Sequence, residues 1–153
     1  MGVNRSRAST GGFTELLLAR GARLVNALDN GRHQLEGTDI RAVNDLLKQG
    51  RLPERPDFVC VDVSFISLKL VLPPALAAVR LPARFLALIK PQFEAGRRAH
   101  KKGIVRDPAV HSAVCERIAE LVHSLGWQVA GIIRSPIAGG DSNREFFIAA
   151  SHA

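Results

Sequence analysis

At 153 residues and 46% hydrophobic, the chain has enough apolar side chains for one domain of ordinary size with its own core. Twenty-one Lys and Arg against fourteen Asp and Glu give a net charge of +7. That balance suits a polyanionic partner such as RNA, though a basic surface alone is equally compatible with no such partner. The two cysteines lack CxxC or CxxH neighbours, which argues against a disulfide framework or a zinc site, and no metal is expected. No apolar run approaches the roughly 18 residues of a membrane helix, and the expectation is a cytoplasmic protein.

In chain order, FTELLLAR (Phe13 to Arg20) predicts a short helix stopped by Gly21, and RLVNALD predicts a strand ending on Asp29. The small residues and glycine pair of ASTGG, ahead of that helix, would let backbone N–H groups approach a ligand closely. The plain alternative is a surface turn capped by Ser9 or Thr10. Asp29 lies where a carboxylate can accept both hydroxyls of a nucleoside ribose. Residues 30–56 are polar, with a helix predicted near Arg41 to Lys48 and a proline-bounded loop after it.

DFVCVDVSF (Asp57 to Phe65) predicts a strand buried on both faces, with Asp62 at its end. A carboxylate there either caps the next helix or belongs to a site. The following ISLKLVL predicts a helix interrupted by Pro73 and Pro74. RFLALIK (Arg84 to Lys90) predicts a neighbouring strand, so that Lys90 and Asp62 would share one sheet edge. The loop from Pro91 to Arg106 carries Arg97, Arg98, Lys101 and Lys102, either as solvated charges or as a phosphate-binding group. Asp107 and Pro108 open an amphipathic helix that Gly126 closes. Trp127 to Ile133 and Arg144 to Ala150 predict two last strands, joined by SPIAGGDSN in an antiparallel return. Glu145, at the start of the final strand, either points to solvent or folds back toward the Asp62 and Lys90 edge. The alternation predicts a mainly parallel α/β sheet with an antiparallel last strand and ligands at the carboxyl ends.

Taken together, ASTGGFTELLLARGA, NALDNGRHQL, EGTDIR, VDVSFISLKLVLP, LIKPQFEAG, KGIVRDPAV and SPIAGGDSNREF resemble the TlyA-type hemolysin family, a branch of the FtsJ-like RNA methyltransferases. The resemblance implies a Rossmann-like fold that uses S-adenosylmethionine to methylate ribose 2′-hydroxyls of ribosomal RNA, with rRNA or ribosomal subunits as partner. It implies that Ser9, Thr10, Gly11, Gly12 and Phe13 form the cofactor's glycine motif, with Asp29 on its ribose and Asp39, where the family usually has Asn, near its adenine. Asp62 would border the cofactor as well. Of the family's Lys, Asp, Lys, Glu tetrad, the last three members fall on Asp62, Lys90 and Glu145. A neutral Lys90 would take the ribose proton, or Lys90 would orient the hydroxyl, with Asp62 and Glu145 holding the amine.

The sequence departs from the family pattern at its start. Arg5, Ser6 and Arg7 stand where the family has a strand and an Asp-x-Gly, no lysine precedes Lys48 in these 153 residues, and the expectation is a family member without the S4-like RNA-binding domain. The expectation is one FtsJ-like methyltransferase domain over residues 1–153, amino-terminally incomplete and lacking its first strand. The alternative is a non-catalytic RNA-binding remnant. A membrane-active toxin, suggested only by the hemolysin name, finds no membrane-length segment to support it.

Overall fold

The computed structural model describes residues 12–23, 54–96 and 103–153. The chain divides into two compact units, residues 1–54 and 55–153. In the first, helix α1 (Gly12–Ala19) begins at the second glycine of ASTGG and ends where Gly21 turns into the left-handed region at φ 94°. Glycine suits that position because it has no Cβ to clash. Ser9, Thr10, Gly11, Asp29, Asp39 and the basic quartet Arg97, Arg98, Lys101 and Lys102 lie outside the described residues, as does the strand predicted to end on Asp29.

The second unit is built on a four-stranded sheet in the order β1 (Phe58–Val61), β2 (Ala83–Ile89), β4 (Phe146–His152), β3 (Gln128–Arg134). β1 and β2 pair in parallel, while β4 runs antiparallel to both β2 and β3. Three strands therefore point one way and only the last opposes them, as expected from the sequence. The parallel pair needs a crossover, and α2 (Leu68–Ala77) supplies it. Helix α4 (Pro108–Ser124) leads into β3, and the SPIAGGDSN loop returns β4 between β2 and β3. A single turn, α3 (Pro91–Glu94), follows β2 directly.

One core joins these elements: Leu68, Leu72 and Leu76 of α2, Val114, Ile118 and Val122 of α4, and Phe85, Ala87, Ile89, Ile148 and Ala150 from the sheet. β2 shows the period-two alternation of a sheet face, with Ala83, Phe85, Ala87 and Ile89 all inside. Phe85 meets Trp127 edge-on at 5.3 Å between ring centroids. The Asp107 carboxylate caps α4 by accepting from Ala109 N at 2.9 Å, and Gly126 closes it at φ 84°.

Two expectations are corrected. Pro73 and Pro74 do not interrupt α2, which runs through both. The carbonyls they leave unpaired belong to Lys69 and Leu70, which are exposed and can bond to water, while Leu72, Ala75 and Leu76 beyond them are buried. β1 is also less enclosed than its apolar run suggests: Phe58 is exposed and only Val61 is buried. Among the described residues β1 is an edge strand, so hydrophobic composition overstated its burial.

Candidate active site

β1 and β2 lie parallel in a register that pairs Val61 with Ala87, so their carboxyl ends open at the same edge of the sheet. Asp62 follows β1 by one residue and Lys90 follows β2 by one. Pro91 cannot continue β2 as a hydrogen-bonding strand residue and instead starts α3, which leaves Lys90 in extended conformation at the junction. The two side chains form an ion pair, with Lys90 Nζ 2.7 Å from Asp62 Oδ1. They are 13% and 22% exposed, so the contact is shielded from bulk solvent yet open on one side. At that depth a charge-assisted hydrogen bond fixes geometry better than a surface pair does.

Lys90 Nζ also donates to Ser64 Oγ at 3.0 Å. Ser64 lies in the turn between β1 and α2, where the next residue, Phe65, has φ 64°. Phe65 is exposed, and its ring meets that of Phe93 of α3 with centroids 4.9 Å apart. Farther along, the Glu94 carboxylate accepts from Leu68 N at 2.7 Å and from Ser67 Oγ at 2.6 Å, at the amino end of α2. A negative charge there satisfies an otherwise unpaired N–H and complements the helix dipole. Residues 62–68 and 90–94 are thus tied together at three successive points.

Glu145 sits one residue before the first paired position of β4, Phe146, whose partner is Ile89 at the end of β2. It therefore flanks Lys90 across the two strand ends. Its side chain nevertheless makes no ion pair with Lys90 among the described residues, and accepts instead from Gln92 Nε2 at 3.3 Å. The residue is buried, and its carboxylate lies so close to Gly139 that a Cβ there would collide with it. Asn143, buried in the same loop, accepts from Val105 N at 3.0 Å and donates to Gly103 O and Gly140 O. His111 of α4 holds Val105 O at 3.0 Å. These contacts tie the segment that precedes α4 to the loop that carries Glu145.

The structure thus brings Asp62 and Lys90 into contact and leaves Glu145 beside them but differently engaged. Of the proposed glycine motif, Gly12 and Phe13 form the start of α1, in the other unit. Ser64, Gln92, Glu94, Gly139 and Asn143 were not singled out from the sequence, although all lie within or beside the motifs quoted there. Cys60, next to this edge, is not a nucleophile at neutral pH: burial, and secondarily the charge of Asp62, pushes its thiol up to about 11. Among the described residues no cluster of His, Cys, Asp and Glu could hold a metal ion, and no helix is long and apolar enough to cross a membrane.

Comparison with known proteins agrees with this architecture. YqxC of Bacillus subtilis, described as a candidate rRNA methyltransferase, is 42% identical over 92% of the chain and 54% of its own length. The 16S/23S rRNA (cytidine-2′-O)-methyltransferase TlyA of Mycobacterium tuberculosis is 40% identical over 92% of the chain and 56% of its own length. The chain therefore spans about half the length of these curated relatives. A solved structure from Lactococcus lactis, described as a candidate hemolysin, matches with a TM-score of 0.83 and 41% identity, covering 93% of this chain and 73% of its own. The model of the FtsJ-like methyltransferases matches residues 7–152, and the chain belongs to that family.

Proposed function

We propose that this chain transfers a methyl group from S-adenosylmethionine to a ribose 2′-hydroxyl of ribosomal RNA, with Asp62, Lys90 and Glu145 at the reacting edge. The observation that carries this reading is the Lys90 and Asp62 pair, 2.7 Å apart at the open carboxyl ends of two parallel strands. Its family relatives named as rRNA 2′-O-methyltransferases support the same chemistry.

The types of residue at the described positions suit such a cofactor. A helix starts at Gly12 directly after a run of small residues, as backbone binding of an anionic group requires, and Asp62 stands at a strand end where a polar ligand would lie. By the family pattern, the cofactor-binding residues would be Ser9, Thr10, Gly11, Gly12, Phe13, Asp29 and Asp39 and, on the second unit, Asp62. When bound, S-adenosylmethionine supplies a sulfonium methyl, which needs an aligned nucleophile and no acid.

The chain's own task is to present the hydroxyl. Lys90 would hold the ribose oxygen in line and take the proton that it gives up. Asp62 anchors the amine. Arg97, Arg98, Lys101 and Lys102 would hold RNA phosphates, giving binding that weakens with salt. A ribosomal RNA substrate makes the cytoplasm the place of action.

The test is tritium transfer from labelled S-adenosylmethionine to a ribosomal RNA fragment. Lys90→Ala is expected to reduce transfer about 100-fold or more. Undiminished transfer would remove Lys90 from the chemistry. Transfer absent from the unsubstituted chain, with no saturable calorimetric binding of the cofactor, would favour a chain that only binds RNA.

A further inference from the structure

We infer that Ser64 is a positioning residue for the Lys90 amine, in the place that the family pattern would give to Glu145. This rests on the proposed role of Lys90 for its consequence in catalysis, though not for its geometry. A lysine ammonium has three N–H directions at the end of a flexible four-carbon stem. One partner leaves such a group free to swing, whereas two partners fix where its remaining direction points. Asp62 Oδ1 at 2.7 Å takes one direction and Ser64 Oγ at 3.0 Å takes the second. Glu145 is occupied with Gln92 instead. The third direction of the amine is left for the ribose oxygen.

The chemistry of the second partner matters as well. Serine accepts a hydrogen bond without adding another negative charge beside the amine, so it fixes position while leaving Asp62 as the single countercharge in contact. A glutamate in the same place would set a second negative charge against the amine.

The backbone is shaped to deliver this hydroxyl. Phe65, immediately after Ser64, holds φ 64°, a left-handed conformation that is strained for a non-glycine residue. Its ring contact with Phe93, and the Glu94 bonds to Ser67 and Leu68, fasten the turn at its strained residue and just after it. All of these fastenings come from the segment that begins with Lys90. Turn and amine are therefore held in one frame.

The experiment labels the chain by reductive methylation with formaldehyde and cyanoborohydride, without RNA or cofactor, and compares Lys90 with the exposed Lys69 by peptide mass spectrometry. Ser64→Ala is expected to raise Lys90 labelling about fivefold, the equivalent of one ordinary hydrogen bond, with Lys69 unchanged. Ser64→Thr, which keeps the hydroxyl, should return it to the original rate. Ser64→Cys, similar in size but a weak acceptor, should behave as Ser64→Ala and carries the test if the alanine variant does not fold. In tritium-transfer assays the same loss should lower kcat with KM for RNA and cofactor unchanged. Lys90 labelling that is the same in all variants would overturn the proposal. The expected labelling pattern in a chain that transfers no methyl group would uphold it and count against the methyltransferase reading alone.

Discussion

Glu145 owes its position to the absence of a side chain at Gly139. The backbone of Gly139 is ordinary, with φ −75°, so space and not conformational freedom makes glycine necessary there. Gly139→Ala would push the carboxylate away from Gln92, and because the displaced atoms end a flexible side chain, the fold should lose little. Methyl transfer is expected to fall about 10-fold while the thermal midpoint moves by only a few degrees, a combination read by parallel activity and melting assays. Equal losses of both would make Gly139 a folding residue only. At this scale Asp62 and Lys90 were legible because a charge ending an apolar strand demands a reason. Ser64, Gln92 and Asn143 were not, since a neutral polar residue in a loop looks the same whether it is solvated or, like Asn143, buried with three backbone partners.

Among the elements, α2 depends on a carboxylate from outside itself. Glu94 reaches from α3 to the N–H of Leu68, so one side chain caps α2 and ties α3 to the turn containing Ser64. Glu94→Ala is expected to cost about 1 to 3 kcal/mol in denaturant unfolding, with Glu94→Gln losing less because it keeps an acceptor. An unfolding midpoint unchanged in Glu94→Ala would show that Ser67 caps α2 unaided. This tie could not be read locally, because residues 67 and 94 are brought together by the parallel pairing of β1 with β2. Periodicity served α4 well, where Val114, Ile118 and Val122 are all buried. Proline as a stop signal failed for α2, where Pro73 and Pro74 suggested an end that the burial of Leu72, Ala75 and Leu76 overrode.

The second unit as a whole is a sheet whose one reversed strand, β4, carries Glu145 to the edge where two parallel strands deliver Asp62 and Lys90. Strand direction was legible from the alternation of elements and the turn-rich loop before β4. Enclosure was not, because an apolar strand such as β1 reads the same at an edge as at the centre. The chain's net charge of +7 suits the RNA partner proposed above. The most direct measurement incubates ribosomal RNA with the chain and S-adenosylmethionine, digests it to nucleosides and locates the added methyl group by tandem mass spectrometry. The expected result is a methyl group on ribose, formed by the original chain and lost with Lys90→Ala. A methyl group on a base, or ribose methylation that persists in Lys90→Ala, would contradict it.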